Sequence, residues 1–183
     1  MSRHPRFARW ARWCADRRGV AAVEFSLVLP FLLILYFGGY QTTQAVSAYR
    51  KLSDATVELG NVTAQYTTMS ATDVSNVFNA SSQIMAPDST TNLKIVLSEI
   101  TTDASSNATV TWSQAYQGGT ALGVGTSVTL PAGLGAPNTS YIFVQTNYTW
   151  TPGFANSFVS TSIPMSDQFY MIPRNSANIP YTG

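Results

Sequence analysis

The sequence predicts an α+β protein: a long N-terminal helix, one additional short helix, and a small antiparallel sheet of about four strands. Three observations predict it. A charge-free run from Phe25 to Tyr49 continues into an apolar repeat of three- and four-residue spacing that reaches Tyr66. A second repeat of helical spacing follows the Ser70-Ala71-Thr72-Asp73 sequence. Beyond Pro87 the chain becomes rich in valine, threonine and aromatic residues, broken by Gly, Pro, Ser and Asn. Helices first and strands afterwards is the order of an α+β fold, with the polar half of the first helix laid on the sheet. The sequence contains no internal repeat.

The first helix has two halves. From Phe25 to Tyr49 a rise of about 1.5 Å per residue gives about 37 Å, more than a hydrocarbon core of about 30 Å requires. The wholly apolar part ends near Tyr40. Pro30 frees the carbonyl of Ser26, and Gly38-Gly39 is a second weak point. Either these three are ordinary irregularities of a lipid-embedded helix, or they form a flexible joint. In the second half, Ala45, Tyr49, Leu52, Ala55, Leu59, Val62 and Tyr66 define one face, and Arg50, Lys51, Asp54 and Glu58 the other. Gly60 reads as a moderate interruption without a proline to enforce it. The expected helix runs from about Val20 to Gln65. The chain then divides into a leader at 1–19, the long helix at 20–66 and an exported domain at 67–183.

One acid interrupts the apolar run. A charged carboxylate in a lipid-spanning helix costs about 2.5–3.5 kcal/mol on insertion scales, so Glu24 is expected to serve a partner. The alternative is that it lies shallow enough to reach the headgroups.

Ser70 with Asp73 has the pattern of a capping box, followed by Val74, Val77, Phe78, Ile84 and Met85. That predicts a helix from Ala71 to Met85, stopped by Pro87. Leu93, Ile95, Leu97 and Glu99 alternate with Lys94, Val96 and Ser98, a strand with Val96 on its second face, so both faces are covered. Ala108 to Tyr116 is the next strand, and Ser105-Ser106-Asn107 makes the two a hairpin. Gln117-Gly118-Gly119 and the stretch from Gly133 to Pro137 read as loops. Tyr141 to Trp150 is the strongest strand signal. Val159 to Ile163 fits helix or loop, and Gln168 to Ile172 fits a last strand.

Charge and composition narrow the function. The chain has 183 residues, enough for one domain with appendages. Six arginines (Arg3, Arg6, Arg9, Arg12, Arg17, Arg18) stand in the first 19 residues against Asp16 alone. Beyond the apolar run Arg50, Lys51, Lys94 and Arg174 face seven acids. The positive-inside rule puts the N-terminus in the cytoplasm and the domain across the membrane. The basic stretch is short and runs straight into the membrane segment, so no nucleic-acid partner is expected. Cys14 and His4, the one cysteine and one histidine, both lie in the leader. The exported part therefore lacks the residues for Cys/His metal sites, Cys–His nucleophiles and Ser-His-Asp triads. No catalytic residue, metal or cofactor is expected.

Several other groups have plainer roles open to them. Asn61, Asn79, Asn107, Asn138 and Asn147 each open an N-x-S/T pattern, which chance explains in so Asn-, Ser- and Thr-rich a chain. Asp88 and Asp103 lack a calcium-loop context. Trp112, Tyr116, Tyr148 and Trp150 offer sugar-stacking surfaces but more commonly form core. Glu99 and Asp103, if they converged, would be the raw material of a paired-carboxylate hydrolase. A secretory signal cut after Val46-Ser47-Ala48 competes poorly, because the apolar region exceeds an h-region of about 7–15 residues and Glu24 breaks it.

The stretch Arg17-Arg18-Gly19-Val20-Ala21-Ala22-Val23-Glu24-Phe25-Ser26-Leu27-Val28-Leu29-Pro30 resembles the N-terminal signature of TadE/TadG-like proteins. These are pseudopilins or minor pilins of bacterial tight-adherence (Tad) pilus systems, related to type IV pilins. Weaker likeness continues at Trp112-Ser113-Gln114-Ala115, Tyr148-Thr149-Trp150-Thr151-Pro152 and Tyr170-Met171-Ile172-Pro173-Arg174. The length fits the TadE type. The resemblance implies a pilin-like fold, and partners among other pilin and pseudopilin subunits. It also implies maturation by a prepilin peptidase of the bacterial inner membrane, cutting between Gly19 and Val20 and leaving Glu24 at mature position five. Arg17 and Arg18 would belong to the leader that the peptidase recognises, and the domain would be periplasmic before it joins a pilus. Trp10 and Trp13 suit a short interfacial helix in that leader. The alternatives are a membrane-anchored binding or sensor domain, and a secreted carbohydrate-binding protein or hydrolase.

Overall fold

The computed structural model describes residues 18–153 and 162–183. The chain forms two compact units, residues 1–43 and 44–183. Helix α1 spans Arg18–Thr63 and contains Pro30. Helix α2 spans Ala71–Ile84, and a short 3-10 turn at Thr90–Asn92 leads into the sheet. The strands are β1 (Leu93–Thr102), β2 (Ala108–Tyr116), β3 (Ser140–Trp150) and β4 (Ile163–Met171). They form one sheet in the order β2-β1-β3-β4, every neighbour antiparallel. The fold is α+β with a pilin-like layout of long helix, short helix and four-stranded sheet.

In the 44–183 unit α1 lies on one face of the sheet. Ala48, Leu52 and Leu59 of α1 join Val74, Val77 and Phe78 of α2, Leu93, Ile95 and Leu97 of β1, and Ile142, Val144 and Tyr148 of β3. The buried stripe is shifted from the one expected. Ala48 is fully buried, whereas Tyr49 is 45% exposed. The helix ends at Thr63, and Tyr66 packs on the core from beyond it. Gly60 does not break the helix. It is buried, and a Cβ there would meet Phe169 Cδ1 at 3.0 Å and Val144 Cγ2 at 3.6 Å. The missing side chain lets the helix backbone approach the sheet. Close by, Thr56 and Thr146 share a buried hydroxyl–hydroxyl bond of 2.6 Å between α1 and β3.

The Ser70 capping box is present. Ser70 Oγ accepts from the Asp73 N–H at 3.2 Å, and Asp73 Oδ2 accepts from the Ser70 N–H at 3.0 Å and hydroxyl at 2.6 Å. Together these satisfy donors that the first helical turn leaves free.

The hairpin between β1 and β2 forms as its turn residues predict. Asp103 Oδ1 accepts from the N–H of Ser105 and of Asn107, each at 2.8 Å, and Ser106 takes a φ of 65°. A bulge then changes which way β2 faces. Glu99 pairs with Trp112 but Ile100 pairs with Val110, so Thr111 is the extra residue. An odd residue reverses side-chain alternation. Trp112 therefore packs on the α-helical side, while Ala108 and Val110 join Ile100 and Phe143 on the other. Leu122, Val128 and Leu130, from the segment between β2 and β3, cover this second cluster. The covering on both faces expected from Val96 thus holds along β1, nearly all of which is buried.

The segment after β4 closes the unit. The Met69 N–H donates to the Pro180 carbonyl at 3.0 Å, and the Thr182 N–H donates to the Met69 carbonyl at 2.8 Å. Ile179 is fully buried, its carbonyl accepting from Trp112 Nε1 at 2.7 Å. β4 begins at Ile163, earlier than the sequence suggests. The helix-or-loop alternative for Val159 to Ile163 falls largely outside the described residues, and its last residue is strand.

Candidate functional site

The residues that carry the functional expectation lie on the first part of α1. Arg17 lies outside the described residues, and Arg18 is the first residue of the helix. Gly19 has open space around it, with no atom within 4 Å of where a Cβ would stand. Val20 is 52% exposed. Glu24, one turn further on, is exposed and has no hydrogen bond or ion pair among the described residues. Around it the helix presents apolar side chains outward, with Phe31 and Leu35 each 73% exposed. An outward face of that composition anchors the segment in a membrane, since in water it would leave a large uncompensated apolar surface.

Residues 38 and 39 share a local feature, and Ser26 shows it one turn before Pro30. The helix runs through Pro30, Gly38 and Gly39 without interruption. Hydroxyl side chains bond back to carbonyls one turn earlier nearby. Ser26 Oγ donates to the Ala22 carbonyl at 2.7 Å, Thr42 Oγ1 to Gly38 at 2.8 Å and Thr43 Oγ1 to Gly39 at 3.0 Å. Such back-bonding keeps polar groups satisfied where no water is available.

The other candidate groups have local structural roles. Asp88 is spent on Lys51 at 2.7 Å. Asp103 is held by its turn, with Asn107 Nδ2 donating to Oδ2 at 2.9 Å. The Asn107 side chain, then its backbone N–H, hold the Asp103 carboxyl below the usual carboxylate range. Glu99 does not join it. It is fully buried, and Oε1 accepts the Ser140 hydroxyl at 2.5 Å and the Ile179 N–H at 2.7 Å. Oε2 has no hydrogen-bond partner among the described residues. Glu99 is a brace for the returning C-terminal segment, and the carboxylate pair of a hydrolase does not assemble. Trp112, Tyr148 and Trp150 are core residues, with Tyr116 packed against them. Burial, then the nearby Asp88 charge, push the Tyr148 hydroxyl up from its ordinary value. Of the N-x-S/T asparagines, Asn79, Asn107, Asn138 and Asn147 are exposed, while Asn61 is half-buried on α1.

Sequence reasoning missed Glu99 as a structural acceptor, the Thr56–Thr146 bond, and the contact of Arg174 Nη2 with Asn61 Oδ1 at 3.1 Å. No local signal marks these, because the partners stand 41 or more residues apart.

Comparison with known proteins meets this geometry at the same place. No curated protein and no solved structure matches the chain. The domain stretches at 112–115, 148–152 and 170–174 lie outside the one family match found, whereas Gly19, Val20, Glu24, Pro30, Gly38 and Gly39 lie inside it. Residues 19–59 match the family model of TadE-like proteins, so the chain carries a TadE-like segment, that of a component associated with Tad pili.

Proposed function

We propose that the chain is a minor pilin or pseudopilin subunit that helps initiate or build a Tad pilus, without catalytic activity of its own. A prepilin peptidase cuts between Gly19 and Val20, with Arg17 and Arg18 in the leader it recognises. The chain sits in the bacterial inner membrane with its N-terminus cytoplasmic and its domain periplasmic, and then joins other pilin and pseudopilin subunits through α1. The observation that carries this reading is Glu24: an acid without a side-chain partner among the described residues, on an exposed apolar helix, inside the TadE-like segment and little more than one turn from the glycine.

The chemistry is coherent. Glycine admits the backbone to a protease cleft without a side-chain clash. Cleavage frees the Val20 α-amine, which is largely protonated near neutral pH. Four residues separate it from Glu24, about 6 Å along a helix. A neighbouring subunit displaced by about a turn brings its amine to this carboxylate. Burying either ion alone costs several kcal/mol, so pairing fixes register more than it adds stability. Pro30, Gly38 and Gly39 give the helix points at which to bend as neighbours pack.

Two measurements test the proposal. Mass spectrometry of the N-terminus of protein from its natural host should find Val20. An uncut leader would favour the anchored sensor or binding domain, and a start at Tyr49 the secreted carbohydrate-binding protein or hydrolase. Glu24→Ala should insert into the membrane normally but fail to enter the pilus fraction, and normal incorporation would refute the pairing role.

A further inference from the structure

At one end of the 44–183 unit, three segments enclose a hollow of about 370 Å³, inside the range of about 300–1,000 Å³ that small-molecule sites occupy. It lies where β1 finishes and β3 begins. α1 enters the unit from the other end, since it meets β3 first at Thr146 through Thr56 and then at Val144 through Gly60. Part of the lining is apolar: Val128 and Leu130 pack on the second core cluster, and Leu134 is 39% exposed. The rest is polar and neutral, from Ser106, Asn107, Ser127 and Thr129, all exposed. Among the described residues, the hydroxyls of Ser106, Ser127 and Thr129 and the Asn107 Oδ1 have no hydrogen-bond partner, and no charged side chain lines the hollow.

Each wall is held in place by its own bonds. Asp103 accepts from the Ser105 N–H, the Asn107 N–H and Asn107 Nδ2, which fixes the first turn. The Val128 N–H donates to the Ala108 carbonyl at 3.0 Å and ties the second wall to β2. The Tyr141 hydroxyl accepts from the N–H groups of Gly135 and Ala136 at 3.0 and 3.1 Å and pins the third. A site shaped before its ligand arrives loses little on ordering.

We propose that this hollow binds an uncharged sugar ring. A pyranose offers an apolar C–H face to Val128, Leu130 and Leu134, and hydroxyls that both donate and accept to the neutral rim. An ion would shed its hydration with no opposite charge to meet it, and a purely apolar side chain would cover the rim groups without bonding them. Trp112, Tyr148 and Trp150 are core, so recognition rests on hydroxyls and aliphatic contact rather than on ring stacking. The inference goes beyond the subunit reading and does not depend on it. A chain that starts at Val20 and binds sugar is a subunit carrying a sugar site, and one that starts at Val20 without binding rejects this inference alone.

The test uses the full chain in lipid nanodiscs, because an alkyl glycoside detergent would itself present a neutral sugar. Saturation-transfer NMR is recorded with the methyl glycosides of glucose, galactose, mannose and N-acetylglucosamine, and with N-acetyl-leucinamide as the apolar alternative. At least one glycoside should bind with a Kd on the order of 1 mM, as befits a small ligand with few hydrogen bonds. Thr129→Val removes one rim hydroxyl and should weaken binding about fivefold, and the bulkier Thr129→Leu should abolish it. Position 129 is exposed, so both variants should keep the near-ultraviolet circular dichroism of the parent. Ser166→Val, on β4 and outside the hollow, should bind as the parent does. Absence of signal from all four glycosides would overturn the proposal. So would binding that Thr129→Leu leaves intact, or tighter binding of N-acetyl-leucinamide than of any glycoside.

Discussion

Replacing Gly60 by alanine sets two effects against each other at the closest approach of α1 to the sheet. Alanine in a helix interior is favoured over glycine by about 1 kcal/mol. Against this, the new methyl would stand 3.0 Å from Phe169 Cδ1. That ring must retreat by a few tenths of an ångström, and overpacking a fitted contact costs about 1–3 kcal/mol. Phe169 is half-buried on the edge strand β4, so it yields more easily than a central residue and the low end applies. The net expectation for Gly60→Ala is a destabilisation of about 0–1 kcal/mol. In a Phe169→Ala background the obstacle is gone, Val144 at 3.6 Å is an ordinary contact, and the same substitution should stabilise by about 1 kcal/mol. The double-mutant cycle should therefore return a coupling of about 1–2 kcal/mol. Urea unfolding of the detergent-solubilised chain, followed by near-ultraviolet circular dichroism of the buried Trp112 and Trp150, measures all four corners. If Gly60→Ala stabilises equally in both backgrounds, Gly60 is merely a weak point of the helix and the close-approach argument is wrong.

Other consequences follow from the same contacts. Ser70→Ala removes the N-cap acceptor and should cost about 1 kcal/mol in the same unfolding assay, with Ser70→Asn largely neutral. The Asp73 carboxyl is held below the usual range by the Ser70 hydroxyl and then the Ser70 N–H, as Asp103 is by Asn107. A depressed folded-state value stabilises the fold above the unfolded-chain value of about 3.9, and that contribution is lost as pH falls through the folded values. The urea midpoint should drop as the pH falls below the unfolded-chain value of about 3.9, less steeply in Asp73→Asn and Asp103→Asn, and an unchanged slope in both would contradict the assignment. Thr56→Val leaves the Thr146 hydroxyl without its 2.6 Å partner and should cost about 1–2 kcal/mol, whereas adding Thr146→Val should recover much of the loss.

Where an element rests on neighbours in sequence, the chain announces it. The charge-free run, the Ser70 capping box, the Asn107 turn and the strand from Ala108 to Tyr116 are local patterns, and each forms where its spacing puts it. The same holds for the TadE-like segment, whose signature is contiguous. Periodicity failed at finer scale on α1. An apolar repeat names a face to within about one residue, and only contact with the sheet chose Ala48 over Tyr49 as the buried member.

What the sequence determined by itself was the class of fold, the membrane-fit helix and the position of its lone acid, because helix and strand periods and hydropathy act over a few residues. Tertiary structure alone decided that Thr111 turns Val110 to the far side of the sheet, that Gly60 serves close packing, and that Glu99 is spent on bracing Ile179. Each of these depends on a partner brought in by chain closure over tens of residues. No local pattern of side chains encodes which distant donor will arrive beside a given acceptor.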